Sequence, residues 1–308
     1  MWRDIDPRPE ERKRPDLSRG TGNADERTEA TSNDPRDVFS RDLDLPRGSS
    51  RRPVRDRDRS VDLRESEVRI LATTGAFRVV PAKDLLDHRE RPSNARQGEL
   101  RRLREEGLLE TRPYVVGREK TTLVTLTERG RELLERHRST GSNAPRQEFY
   151  SGVVKPRELA HDAQLYRAYL HAAERLQRRG STVRRVALDY ELKRDYQRFL
   201  RDLNRDRRRA ERDADSAARD VEDWAARREL PVIDGHVHFP DVRIEYDRPD
   251  GDRKVEDVEV VTPHYRGAYA AAKSRTGFSC YRIDTGVGGR GGRSGRTPDP
   301  RIFEEFLG

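Results

Sequence analysis

The chain has 308 residues, of which 40% are charged and only 32% are hydrophobic. Its 65 lysines and arginines against 57 aspartates and glutamates leave a net charge of +8, which suits a nucleic-acid partner without requiring one. A single cysteine, Cys280, excludes an intramolecular disulfide and a cysteine-rich zinc site. No apolar stretch has the length of a membrane span or a signal peptide, so we expect a cytoplasmic protein.

Residues 1–60 are rich in Arg, Asp, Pro, Ser and Gly and carry few apolar side chains. Such a composition cannot bury enough surface to offset the entropy cost of ordering, and we expect a disordered arm. Val38-Phe39 and Leu43–Leu45 form a short apolar island that could dock on a partner or on the folded part. The composition favours an unattached tail over docking.

Helical patterns follow this arm. The sequence predicts short helices over Glu67–Thr73 and Pro81–His88, and then a basic amphipathic helix over 95–106. In this third helix Leu100 and Leu103 recur at helical spacing, while arginines occupy the remaining faces.

A β-hairpin and a further helix are predicted next. Leu108–Val116 and Leu123–Leu126 are β-prone runs on either side of a polar tip at Gly117–Lys120. Thr127 is a candidate N-cap for the last helix, in which Leu133 and Leu134 face inward. Residues 61–140 therefore predict three helices, a hairpin and a fourth helix.

This region resembles the MarR-type winged helix-turn-helix regulators, in Leu100, Leu103, Gly107, Leu108 and the run from Leu126 to Leu134. The resemblance covers about a quarter of the chain. It implies that helix 95–106 enters the major groove of DNA and that the wing 108–126 contacts the backbone or minor groove. The DNA-binding residues that it implies are Ser93, Asn94, Arg96, Gln97, Arg101, Arg118 and Lys120. The alternative is that these arginines form only a solvated helix face.

A second unit, over 150–284, begins with a long amphipathic helix at Pro156–Arg178. A strand-like run at Ser181–Leu192 leads into a densely charged helical insertion over 194–230, which we expect to project into solvent as a hairpin.

Strands dominate the remainder of this unit. They are predicted at His238–Ile244, Val255–Val261 and Ser279–Ile283, with an alanine-rich helix at Tyr265–Lys273 between the last two. A small sheet of this kind makes an α/β unit, and the whole chain is expected to be α+β. Residues 285–308 form a Gly/Arg-rich tail whose glycine spacing imitates a dinucleotide-binding loop without the surrounding βαβ unit.

A histidine pair, His236 and His238, resembles the metal-binding opening of amidohydrolase barrels, because alternate residues on a strand point to one side. A barrel of that kind needs roughly 250 residues, far more than follow this motif. We expect no metal here, with these histidines as a weak alternative that would need Asp241 or His264 as further ligands.

Acidic residues late in the chain resemble the PD-(D/E)xK nuclease core. Asp241 with Glu259, or with Asp257, would hold Mg²⁺ through carboxylate oxygens. The motif position for the lysine holds no lysine, so Lys273 would have to replace it, and Glu191 would add an outer acid. This departure favours an inactive nuclease-like scaffold.

Taken with the run from His161 to Arg167, the order of elements is similar to that of replication-relaxation proteins of plasmids and integrating conjugative elements. The resemblance implies a DNA-binding head joined to a degenerate nuclease-like domain. We therefore expect a regulator or DNA-processing accessory factor that binds double-stranded DNA without a cofactor. MarR-like proteins usually dimerise through flanking helices, which implies a homodimer. The alternative is a metal-dependent endonuclease or relaxase-type enzyme using Asp241, Glu259 and Lys273.

Overall fold

The computed structural model of the protein describes residues 34–116, 119–140, 145–152, 158–210, 214–261 and 275–282. Helices and strands are both abundant among these residues, so the expected α+β class is confirmed. No helix in the described ranges is long and apolar enough to cross a membrane.

Residues 34–60 are folded against the rest of the described chain, and the expectation of a disordered arm up to residue 60 is wrong for them. Val38, Phe39 and Leu43 are at most 5% exposed, because the apolar island docks on the folded part of the chain. The tyrosine hydroxyl of Tyr169 donates to the carbonyl of Pro35 at 2.6 Å and fixes the start of this segment. Burial of these side chains offsets the entropy cost that the composition alone could not. Residues 1–33 lie outside the described part.

A hairpin follows this segment, formed by strands β1 (Arg52–Asp56) and β2 (Arg59–Leu63). Val54 pairs with Val61, and both are buried while their neighbours along each strand are exposed. This alternation of buried and exposed residues is the pattern of a two-stranded sheet that covers a core with one face.

The next elements are helix α1 (Glu65–Phe77), strand β3 (Val80–Pro81), a 3-10 turn (Ala82–Asp84), helix α2 (Gly98–Glu105), strand β4 (Leu109–Val116), strand β5 (Glu119–Leu126) and helix α3 (Glu128–Arg136). Strands β3, β5 and β4 form a three-stranded sheet in that order. The predicted helix over 95–106 is confirmed for residues 98–105, while residues 95–97 form turns before it. The hairpin and the last helix are also confirmed, and β5 begins at Glu119 rather than at Leu123. The tip at 117 and 118 lies outside the described residues.

The predicted helix over Pro81–His88 is wrong. Val80 pairs with Val124 in the sheet, and only one 3-10 turn follows before the chain runs through turns to Gln97. One cause lies in Asp87, whose side chain accepts backbone N–H bonds from Arg89 and Arg91 at 2.8 and 3.0 Å. A carboxylate that bonds the local backbone in this way stabilises a turn against a helix.

Helix α3 begins as the sequence predicted. Thr127 is its N-cap, with the hydroxyl accepting the backbone N–H of Gly130 at 3.0 Å and donating to the carbonyl of Gly107 at 2.7 Å. Gly130 faces the backbone just before β4, where a Cβ atom would collide with the carbonyl oxygen of Leu108. The glycine therefore permits a close approach of α3 to the hairpin.

The second unit contains helix α4 (Leu159–Arg178), strand β6 (Thr182–Leu188), helices α5 (Asp189–Ala210) and α6 (Ala214–Ala226), and strands β7 (Val232–Ile233), β8 (His236–Val237), β9 (Val242–Asp247), β10 (Arg253–Val261) and β11 (Ser279–Arg282). The main sheet has the order β11-β10-β9-β6, with β11 parallel to β10 and the other pairs antiparallel.

Several predicted boundaries change in this unit. The strand predicted over Ser181–Leu192 ends at Leu188, because α5 already begins at Asp189. The strand predicted over His238–Ile244 begins only at Val242, and the preceding residues His236–Val237 form a short separate hairpin with Val232–Ile233. The predicted helix at Tyr265–Lys273 and the Gly/Arg-rich tail lie outside the described residues.

One hydrophobic core connects the two predicted domains. Phe77 of α1 lies 5.2 to 5.3 Å, between ring centroids, from Phe39, Tyr166 and Tyr169. The apolar face of α4 is buried between the sheet and the first unit. Consequently that face of α4 is occupied within the chain and does not offer a dimer surface.

Candidate nucleic-acid interface

Helix α2 has two opposite faces. Leu100 and Leu103 are fully buried, whereas Arg101, Arg104 and Glu105 are exposed. The side chains of Arg101 and Glu105 are 58% and 55% exposed and form an ion pair of 2.7 Å. Such a pair between neighbours one helical turn apart leaves both groups in contact with solvent and partly neutralises the arginine.

The segment before α2 is also open to solvent. Asn94, Arg96 and Gln97 are exposed, and the Asn94 side chain accepts the backbone N–H of Arg96 at 2.9 Å. Gln97 has an extended backbone at the N-cap position. Ser93 differs from these residues, since it is half-buried and its N–H donates to the Leu85 carbonyl at 2.8 Å. Of the residues predicted at the start of this helix, Ser93 is therefore the least accessible.

Arg102 does not share the exposed face with the other arginines of α2. It donates to both carboxylate oxygens of Glu67, at 2.9 and 3.0 Å, and Arg51 donates to the same carboxylate at 2.9 Å. Glu67 is fully buried on α1. Burial alone would raise the pKa of Glu67, but the two guanidinium groups outweigh it and lower the pKa below its usual value. Arg102 thus anchors α2 to α1.

A second buried acid fixes the same helix from its other end. Glu99 is 3% exposed and lies 2.7 Å from the Nε of Arg64. The Ser66 hydroxyl donates to Glu99 at 2.7 Å, and the Nδ1 atom of His88 lies 3.4 Å away. Two buried carboxylates therefore hold α2 in one orientation and leave its opposite face free to contact a partner.

The β4–β5 hairpin extends beside this helix. Lys120 and Arg112 are exposed, and Val115, which pairs with Lys120, is 58% exposed. A large exposed apolar residue at the end of a projecting hairpin suits a contact surface. Arg118 lies outside the described residues.

The β1–β2 hairpin is a basic element that the sequence analysis missed. Asp56 is 2% exposed and forms ion pairs with Arg129 at 2.6 Å and Arg136 at 3.3 Å, which hold the hairpin on α3. Arg55 and Arg59 are exposed on it. Every second residue is buried along both strands, at Val54 and Asp56 in β1 and at Val61 and Leu63 in β2. This alternation was the signal that could have identified the hairpin.

The acids of the nuclease resemblance are used in internal contacts. An Asp241 carboxylate oxygen accepts the N–H of Val260 at 2.8 Å and lies 3.1 Å from the Nε2 atom of His161. The other ring nitrogen of His161 lies 3.4 Å from Asp162. Burial alone would lower the pKa of His161, but its bonds to Asp162 and Asp241 raise the pKa to about 10. The imidazole is therefore a cation at neutral pH, a role that sequence reasoning did not assign to it.

The other candidate acids form separate ion pairs rather than one cluster. Asp257 is paired with Arg243 at 2.7 Å, whereas Glu191 and Glu245 share Arg185 at 2.6 and 2.9 Å. Glu259 is 1% exposed, and Lys273 lies outside the described residues.

The histidine pair does not lie in a ligand cluster either. His236 is exposed on β8, and His238 is half-buried beyond its end. In the part of the chain that the structure describes, no group of three or more His, Cys, Asp or Glu side chains is arranged to hold a metal ion.

Comparisons with known proteins return no match, whether to protein-family models, to curated proteins or to solved structures. Function therefore has to be inferred from the residues of this chain and their placement.

Proposed function

We propose that the chain is a DNA-binding protein that contacts duplex DNA through the exposed face of α2 and through the β4–β5 hairpin. The observation that carries this proposal is that the side chains of α2 fall into two groups, one that binds the protein interior and one that is exposed. Arg102 and Glu99 form internal ion pairs, whereas Arg101 of α2 and Asn94 and Arg96 in the segment before it are exposed. A helix held rigidly by its buried face, with basic and amide side chains on the other, has the properties of a groove-binding element.

Each part of this surface has a chemical role in the proposal. Arginine and asparagine side chains can form paired hydrogen bonds with base edges in the major groove, so Asn94, Arg96 and Arg101 supply sequence discrimination. Lys120 on the hairpin neutralises backbone phosphates and contributes affinity without discrimination. No step in this mode of binding uses a metal ion.

In the proposal the protein acts as a regulator or as an accessory factor in DNA processing rather than as a nuclease. Asp241, the best candidate for a metal ligand, has one oxygen bonded to His161 and to the backbone of Val260. We expect no nicking of supercoiled plasmid in the presence of Mg²⁺ or Mn²⁺. Nicking by the wild-type protein that Asp241→Ala abolishes would favour the enzymatic alternative.

We also propose that a homodimer binds the DNA. The apolar face of α4 is buried within the chain, and the apolar side chains of α5 and α6 pack on one another, so the second copy would contact a surface outside these three helices. Light scattering at micromolar concentration tests this part separately, and a monomer would remove it while leaving the DNA-binding proposal intact.

Fluorescence anisotropy tests the proposal, with the duplex upstream of the protein's own gene compared with a scrambled duplex. The test variant is Arg96→Ala/Arg101→Ala. The control is Arg198→Ala/Arg205→Ala, which removes the same charge from α5, where these side chains are 60% and 62% exposed. We expect the α2 variant to lose at least about tenfold in affinity and most of the preference for the upstream duplex, with the control close to wild type. Equal losses in the two variants would contradict the proposal.

A further inference from the structure

An open cleft of about 1150 Å³ lies between the helices α1 and α3 on one side and the start of α5 on the other. Its walls come from the end of α1, from α3, from residues 145–151 and from the start of α5. We call it the Tyr190 cleft and define it by Arg78, Arg146, Tyr150, Tyr190 and Glu191. None of these residues takes part in the DNA-binding surface described above.

Two tyrosines and an arginine form a stacked arrangement in this cleft. The Arg78 guanidinium lies 4.7 Å from the ring centroid of Tyr150 and 4.5 Å from that of Tyr190. The two rings meet edge to face, with centroids 6.2 Å apart. Tyr190 is 47% exposed, which is unusual for so large an aromatic side chain. An aromatic ring held in place on one side and exposed to solvent is a platform on which a planar group can stack.

The charges in the cleft are mostly paired. Arg185 is bound by Glu191 and Glu245, and Arg194 is bound by Glu148. In contrast, neither Arg78 nor Arg146 has a carboxylate partner among the described residues. The Nε atom of Arg78 is buried without a hydrogen-bond acceptor. The cleft therefore retains positive charge that an anionic group could neutralise.

A buried acceptor in the same cleft is also incompletely bonded. The side chain of Glu191 is only 8% exposed, and its Oε1 atom accepts from Arg185 at 2.6 Å. Its Oε2 atom is buried and has no hydrogen-bond partner. A buried carboxylate oxygen without a donor is costly, and a bound ligand with an N–H group would satisfy it.

We infer that the Tyr190 cleft binds a nucleoside phosphate, with the base stacked on Tyr190, the phosphate on Arg146 and Arg78, and a base N–H donated to Glu191. The cleft calls for a planar group, an anionic group and an N–H donor, and each requirement comes from a different observation. A nucleoside phosphate carries all three groups. The same chemistry is presented by a free nucleotide and by a nucleotide within a single strand. This inference does not rest on duplex binding by α2, which uses other residues.

Isothermal titration of the full chain tests the inference with two probes, dGMP and a 5′-phosphorylated single-stranded decanucleotide. We expect saturable binding of at least one probe. Tyr190→Ala should weaken it by about tenfold, since the stacking partner is lost, whereas Tyr190→Phe should retain it. Tighter binding of dGMP would identify a free nucleotide as the ligand, and tighter binding of the oligonucleotide would identify a strand.

A second variant keeps the test valid if Tyr190→Ala perturbs the fold. Arg146 is exposed, so Arg146→Ala should fold normally and weaken dGMP more than it weakens deoxyguanosine, which lacks the phosphate. Arg198→Ala, on the same helix as Tyr190 but outside the cleft, is the matched control and should bind as wild type does. Absence of saturable binding of both probes at low-millimolar concentration, or equal binding by wild type, Tyr190→Ala and Arg146→Ala, would overturn the inference.

Discussion

The Arg102 guanidinium binds both carboxylate oxygens of Glu67, at 2.9 and 3.0 Å, and so joins the candidate recognition helix α2 to the fully buried face of α1. Because Arg51 binds the same carboxylate, one acid joins α1, α2 and the segment that leads into β1. The pair also separates Arg102 from the arginines that are available to a partner.

Removal of the Glu67 charge should destabilise the protein strongly. Glu67→Gln leaves two guanidinium groups beside an uncharged amide, and we expect a loss of about 3–5 kcal/mol in the free energy of unfolding. Glu105→Gln, which breaks the exposed pair with Arg101, should leave the free energy of unfolding nearly unchanged. Urea denaturation monitored by circular dichroism measures both, and comparable losses in the two variants would contradict the structural role of Glu67.

The same Glu105 variant should strengthen DNA binding. Glu105→Gln frees Arg101 from its 2.7 Å ion pair and removes a negative charge from the proposed DNA-binding surface. We expect a gain in affinity of roughly two- to fivefold at low salt, decreasing as salt rises. Anisotropy titrations at two salt concentrations measure the gain, and weaker binding by Glu105→Gln would show that Arg101 needs its partner.

The stability of the protein should depend on the protonation of His161. Its pKa is about 10 in the folded chain against about 6.5 in the unfolded chain, so the stabilisation is fully present below pH 6.5 and is lost as pH rises towards 10. The slope contributed by this one proton is at most about 1.4 kcal/mol per pH unit. Urea denaturation at several pH values should show this loss in wild type and a flatter dependence in His161→Gln. His171→Gln, at an exposed position on the same helix, should keep the wild-type slope.

Gly130 should not tolerate a side chain. Gly130→Ala places a methyl group against the backbone carbonyl of Leu108, which cannot rotate away, and we expect a loss of about 1–3 kcal/mol. Gly75→Ala is the control, because its Cβ atom would meet the side chains of Leu126 and Phe149, at 2.7 and 3.0 Å, which can adjust. Thermal denaturation should therefore show the larger decrease in Tm for Gly130→Ala, and the opposite order would contradict the close approach of α3 to β4.

Elements with a strong period were predictable from the sequence. Helix α2, the hairpin and helix α4 were found because Leu100, Leu103 and their equivalents recur at regular intervals. The fold of residues 34–60 was not predictable, because isolated apolar side chains such as Phe39 show no helical or strand periodicity. They are buried only by contacts with residues distant in sequence. The 3-10 turn after β3 was missed because the pairing of Val80 with Val124 outweighs local helix propensity.

The candidate site was predictable in outline but not in its pairing. The helical pattern placed all the arginines of α2 on its polar faces. Only the structure shows that Arg102 binds the buried Glu67, whereas Arg101 binds the exposed Glu105. Similarly, the bond between His161 and Asp241 joins residues far apart in the chain, and no local pattern indicates it. Long-range ion pairs of this kind are determined by the fold as a whole.

The most direct measurement of the central claim is cleavage of bound DNA by a tethered reagent. In a Cys280→Ser background, which removes the exposed native thiol, an iron–EDTA group is attached at Gln97→Cys or at Arg198→Cys. Both positions are exposed, and only the first lies on the α2 surface. We expect localised cleavage of the upstream duplex from residue 97 and none above background from residue 198. Cleavage from residue 198 with none from residue 97 would contradict it.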